Sequence, residues 1–175
     1  AMGTILSCGG LSAVSGSSLA TAATMAKIAM PSMRAMGYSD RLAASSVAAG
    51  GTLGILIPPS IVLVLYGILT ETDIGLLFIA GILPGLLGIA CYVGAVYFTT
   101  LFFPALGPPG RRHTFQERLS SLKDVWPVVL LFTGIIGGIY AGLFTASEAA
   151  AVGVILTLLL GVAMRLLDFY GVISA

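Results

Sequence analysis

The stretch "GGTLGILIPPS", residues 50–60, constrains this chain more than any other. It sits inside the uncharged run 42–70, and a bilayer core asks for about 20 apolar residues of helix. A regular helix through Gly50, Gly51, Gly54 and the tandem Pro58-Pro59 is disfavoured, because proline lacks the N–H and its ring clashes with the preceding turn. In lipid each unpaired peptide group costs several kcal/mol, so a broken helix persists only where protein, water or an ion satisfies the freed groups. Pro and Gly also occur in kinked membrane helices, which is the plainer reading. Three glycines followed by two prolines within eleven residues go beyond a kink.

The membrane setting follows from composition. Hydrophobic residues make up 58% of the 175 and charged residues 9%, against roughly 25% charged in soluble domains. The charges are bunched and leave uncharged runs at 1–26, 42–70, 74–110, 125–147 and 149–164. If the loop 27–41 is cytoplasmic, alternate crossings put 71–73 outside, 104–124 inside, 144–148 outside and Arg165 inside. All eight Lys and Arg then lie on the cytoplasmic side, as the positive-inside rule asks. Residues 1–26 fit that scheme as a re-entrant hairpin with its tip at Ser15, Gly16, Ser17 and Ser18; a straight helix packed through small residues is the alternative. The chain starts inside an apolar segment and is expected to be an excerpt of a longer one.

Further signals are local. Pro31 and Gly37 are expected to break the helix in the loop 27–41, and Pro84 to kink a long helix over 74–103 between Gly81 and Gly85. The polar connector 104–124 is expected to hold a short surface helix. In the next span Gly134, Gly138 and Gly142 should share one face and admit a neighbouring helix closely. Thr145 and Glu148 have capping-box spacing, with Phe144 at the staple position, and should start a return helix ending near Arg165. Cys8 and Cys91 are expected to be buried thiols.

The chemistry belongs to the breaks. A first half-helix over 42–50 would end with free carbonyls at Gly50 and Gly51, which with the Thr52 hydroxyl form a hard-oxygen set suited to Na⁺. A second half-helix after Pro58 and Pro59, with Ser60 near its start, would offer N–H groups and a positive dipole end to a carboxylate. Hydroxyls of the hairpin tip would add ligands, including Ser15 and Ser17. Discontinuous helices meeting at the midplane are how secondary transporters hold substrate and coupling ion. Enzyme motifs are missing: no HExxH, GxSxG, P-loop or dinucleotide fingerprint occurs, and His113, the only histidine, lies in the charged connector. Nothing suggests nucleic-acid binding. Glu71 and Asp73 read as an acidic surface turn, and Glu148 as a cap.

Residues 15–87, with "GTLGILIPPS" at 51–60 and "GIYAGLFTASEAAAVG" at 138–153, resemble the large membrane subunit of TRAP (tripartite ATP-independent periplasmic) transporters. The resemblance covers nearly the whole chain and weakens over 104–120 and 166–175. It implies an all-α membrane protein, one part of an inverted-repeat, elevator-type transporter. Residues 1–103 would be a transport-domain half, 104–124 a cytoplasmic connector, and 125–175 a scaffold helix pair starting the second half. It further implies multi-pass insertion in a bacterial inner membrane and sodium-coupled import of small organic acids such as dicarboxylates. The substrate would be delivered by a periplasmic binding protein, and a small membrane subunit would complete the complex. Ser15, Gly16, Ser17 and Ser18 would form a hairpin tip, and Gly51, Thr52, Pro58, Pro59 and Ser60 its unwound partner. Together they would make one sodium site and one wall of the substrate site. A scaffold subunit without a site, or a related carboxylate transporter without a binding protein, are the alternatives. The family has two inverted halves and only one such set occurs here, so the chain is not expected to transport by itself. Ala146 stands where the family usually has proline or serine.

Overall fold

The computed structural model describes residues 1–108 and 126–164. The chain divides into two compact units, Ala1–Arg112 and His113–Ala175. Among the described residues every regular element is helical.

The first unit opens with α1 (Met2–Ser15) and α2 (Ser18–Ala35), which reverse at Gly16 and Ser17. Gly16 has φ +59°, a left-handed conformation that glycine adopts without a Cβ penalty. Its N–H donates to the Ser12 carbonyl at 3.0 Å. Ser17 is extended, and its hydroxyl accepts the Ala20 N–H at 3.4 Å, capping α2. The two helices run antiparallel over their full length, because Thr4 near the start of α1 donates to the Met33 sulfur near the end of α2 at 3.3 Å. A straight helix over 1–26 is thereby excluded.

Pro31 does not break α2, contrary to the sequence expectation. The only hydrogen bond it forgoes is to the carbonyl of Lys27, one turn back. The helix ends instead at Ala35. There Gly37 takes φ +80° and the N–H groups of Gly37 and Tyr38 return to Arg34 and Met33 at 2.9 and 3.0 Å, a Schellman stop. Ser39 then caps α3 (Asp40–Thr52) through the Leu42 N–H, and Arg34 grips Asp40 with bonds of 2.6 and 3.2 Å. The guanidinium holds the Asp40 carboxyl below the usual aspartate range.

After α3 come a 3₁₀ turn (Leu53–Ile55), the two prolines, α4 (Ile61–Thr70) and α5 (Ile74–Phe102). The Asp73 carboxylate accepts the Leu76 N–H at 2.9 Å and starts α5. At 29 residues, α5 is about 43 Å long at 1.5 Å per residue. It is the one helix among the described residues long and apolar enough to cross a membrane, and Pro84 does not end it. Helices α1 and α4 are apolar but shorter than a crossing requires. The unit has two small cores. Cys8, Met25, Ala29 and Val47 join α1, α2 and α3. Ile5, Leu53 and Val96 join α1, the 3₁₀ turn and α5. Cys8 is buried, but Cys91 lies exposed on α5, unlike the expectation. At the far end of α5 the chain folds back, and the Leu106 carbonyl accepts the Ser39 N–H at 2.9 Å.

The second unit contains α6 (Trp126–Tyr140) and α7 (Ala146–Ala163). The expected glycine face is not continuous. Gly142 lies beyond the end of α6 with φ +69°, where its N–H and that of Leu143 return to Ile139 and Gly138. The Phe144 ring covers Gly138, while Gly134 lies against Leu156 of α7, whose side chain stands 3.7 Å from an added Cβ. The capping box forms: the Glu148 carboxylate accepts the Thr145 N–H at 2.7 Å, and the Thr145 hydroxyl accepts the Glu148 N–H at 3.3 Å. Those bonds from the Thr145 backbone and hydroxyl depress the Glu148 carboxyl pKa. The surface helix expected in the connector, His113 and Arg165 lie outside the described residues.

Candidate functional site

The hairpin tip and the helix break, more than thirty residues apart in sequence, meet in the first unit. Gly16 accepts the Ile61 N–H at 3.2 Å, so the first donor of α4 is satisfied by the tip. The approach is backbone on backbone. A Cβ added to Gly16 would stand 2.6 Å from the Pro59 carbonyl oxygen, and one added to Gly54 would stand 2.7 Å from the Ser18 nitrogen. One on Gly51 would meet the Ala22 Cβ at 2.7 Å and the Ser18 oxygen at 3.2 Å. Glycine is required here for closeness, and at Gly16 for conformation too.

The break differs in detail from the two half-helices expected. Helix α3 runs past Gly51 to Thr52 and tightens into the 3₁₀ turn, where the Leu53 N–H reaches both the Gly50 and Gly51 carbonyls. Those carbonyls are therefore not free: each shares a donor and keeps a second lone pair. Tightening to i→i+3 bonds is the usual way a helix end satisfies its last carbonyls. Ser60 precedes α4, and the Pro58–Pro59 peptide bond is cis. The buried Ser60 hydroxyl turns back to the Ile55 carbonyl at 2.9 Å, so no side chain caps α4.

Of the other residues singled out from the sequence, Ser15 and Ser17 lie in the tip, with the Ser15 hydroxyl 2.6 Å from that of Thr21. Ser18 presents its backbone to Gly51 and Gly54. Pro58 is fully buried. The Thr52 hydroxyl donates to the Ala49 carbonyl at 2.7 Å and lies 3.0 Å from the Tyr92 hydroxyl on α5.

Sequence reasoning missed the part played by five residues. Thr21 is fully buried behind the tip. Ser12, one turn before Gly16, is also fully buried, and its hydroxyl has no hydrogen-bond partner among the described residues. Tyr92 reaches the break from α5. Gly81 and Gly85 were noticed only as a kink signal, yet they seat the break. Added Cβ atoms would stand 2.8 Å from the Leu56 oxygen and 2.9 Å from the Ile57 side chain. The spacing of glycines on α5 was the available signal; no local pattern marked Ser12, Thr21 or Tyr92.

The donor set is hydroxyl and carbonyl oxygen, the hard ligands of an alkali or alkaline-earth cation rather than the soft donors that select transition metals. Among the described residues no cluster of three His, Cys, Asp or Glu side chains could hold a metal.

The family model of the tripartite ATP-independent periplasmic transporter, DctM component, matches residues 1–174. The C4-dicarboxylate TRAP transporter large permease protein DctM of Pseudomonas aeruginosa is 42% identical over 158 residues, covering 89% of this chain and 36% of that relative. The sialic acid TRAP transporter large permease protein SiaM of Vibrio cholerae is 39% identical, with coverages of 86% and 35%. The ectoine TRAP transporter large permease protein TeaC of Halomonas elongata is 38% identical, with coverages of 91% and 37%. The chain thus spans a little over a third of the length of these relatives, which are transporter permeases and not enzymes. This membrane protein belongs to the DctM component family of the tripartite ATP-independent periplasmic transporters.

Proposed function

We propose that this chain is the part of a sodium-coupled permease that carries one half of the ion and substrate site. The substrate is a small organic acid, a dicarboxylate or similar carboxylate. The permease works in a bacterial inner membrane with a small membrane subunit and a periplasmic binding protein. In this reading α1 and α2 form a re-entrant hairpin, and the unit bearing it moves against a scaffold in elevator fashion. Na⁺ is held among the oxygens of Ser15, Ser17, Gly51 and Thr52. The start of α4, behind Pro58, Pro59 and Ser60, faces the carboxylate, where the first-turn N–H groups after Ile61 and the helix dipole favour negative charge.

The observation that carries this reading is the backbone-to-backbone seating of the hairpin tip on the break, marked by the 3.2 Å bond from Ile61 to Gly16. Two interrupted helices that satisfy each other's end groups can keep irregular backbone at membrane depth, and such junctions bind substrate and ion in secondary transporters. The three relatives are named for transport of C4-dicarboxylate, sialic acid and ectoine. That spread leaves the carboxylate site as the shared proposal and the particular acid to assay.

The test replaces Pro58 and Pro59 together with alanine in the full-length permease assembled with its partners. Uptake of labelled C4-dicarboxylate is compared in sodium and choline buffers. Sodium-dependent uptake should disappear while the complex still assembles by size exclusion. An assembled variant that transports like the parent would make the break mere packing and sink the proposal.

A further inference from the structure

We propose that Tyr92 is a positioning residue for the Thr52 hydroxyl, fixing that oxygen so that one lone pair remains for the coupling cation; the inference deepens the sodium reading and rests on it. A threonine hydroxyl has one proton and two acceptor sites. At Thr52 the proton goes to the Ala49 carbonyl, 2.7 Å away. The Tyr92 hydroxyl, 3.0 Å from the same oxygen, is therefore the donor, and it fills one of the two acceptor sites. One site is left, on a residue that is exposed at the end of α3.

Thr52 needs such a partner. A helical threonine divides between two χ1 rotamers, both able to reach a carbonyl in the preceding turn. The backbone bond to Ala49 alone leaves the remaining lone pair loosely aimed. Tyr92 adds a second fixed point from another helix, forty residues along the chain. Its own ring is held: it packs against the cluster of Ile5, Leu53 and Val96, which also anchors the 3₁₀ turn following Thr52. The phenol thus stands on the same small core as the break it steadies. Removing the hydroxyl and keeping the ring leaves that packing in place.

The experiment compares Tyr92→Phe, Thr52→Ala and the double variant in the full-length permease assembled with its partners. Uptake is titrated with Na⁺, and melting is followed in Na⁺ against K⁺ buffer. Loss of one neutral hydrogen bond should raise the half-saturating Na⁺ of Tyr92→Phe by about three- to tenfold. Maximal uptake at saturating Na⁺ and melting in K⁺ should stay near the parent values. Added to Thr52→Ala, the tyrosine change should do nothing more, because the partner it positions is gone. If Thr52→Ala raises half-saturating Na⁺ and Tyr92→Phe does not, positioning is refuted and the sodium reading stands. If neither variant moves it, the Thr52 ion site and the role of Tyr92 fall together. Should a variant assemble but fail to transport, the Na⁺ concentration needed for the melting shift replaces uptake as the readout, with the same expectations.

Discussion

Substitution of Gly54 by alanine isolates the contact on which the site geometry depends. Its backbone is not left-handed, so alanine meets no conformational penalty there. The obstacle is space: the new Cβ would lie 2.7 Å from the Ser18 nitrogen, 2.8 Å from the Ser17 carbonyl carbon and 2.9 Å from its oxygen. Ordinary carbon contacts fall at about 3.5–4.0 Å, so a gap of roughly 1 Å must open. These are backbone atoms, and no rotamer change relieves them. Overpacking of this kind costs about 1–3 kcal/mol, against about 0.5–1 kcal/mol returned by replacing glycine in a helical turn. The midpoints of the two ranges leave a net of about 1 kcal/mol, or about a 5- to 10-fold shift toward the undocked tip. Hydrogen–deuterium exchange on the purified full-length permease reads this shift. The Ile61 amide, which donates to Gly16, and the amides of the tip should exchange faster by that factor. Gly10→Ala is the control, since among the described residues nothing lies within 4 Å of its added Cβ. Unchanged exchange in Gly54→Ala, or equal acceleration in Gly10→Ala, would refute the claim that backbone closeness holds tip and break together.

Two further outcomes are expected away from the site. Thr145→Ala should weaken the first turn of α7 by about 1 kcal/mol, the usual value of a lost N-cap, visible as faster exchange of the Glu148 amide that Thr145 accepts. Acid should loosen the turn between α2 and α3. The Arg34 bond depresses the Asp40 carboxyl in the folded state, so its contribution is complete above the unfolded value of about 3.9. That contribution is lost as pH falls through the lower folded value. Protection factors of the Gly37 and Tyr38 amides should drop over that range in the parent, and Asp40→Asn should lack the drop.

What could be read from the chain alone was whatever acts over a few residues. Uncharged runs set the membrane class, Gly16 with its serines marked a reversal, the prolines marked the break, and Thr145 with Glu148 marked a helix start. Each is a local steric or hydrogen-bonding preference, carried by neighbours in sequence. The same local rules misplaced details wherever a neighbouring turn could compensate: Pro31 stayed within α2, and α3 ran on to Thr52 instead of leaving Gly50 and Gly51 with bare carbonyls.

Tertiary structure decided which local features face one another. That Gly16 meets Pro59, that Gly54 meets Ser18, and that Gly81 seats Leu56 depends on how rigid helices lie across one another. The pairing of Tyr92 with Thr52 and the burial of Ser12 have the same origin. A glycine looks identical in sequence whether it loosens a helix or admits another backbone. Only the placement of the second backbone, set by packing over tens of residues, tells the two apart.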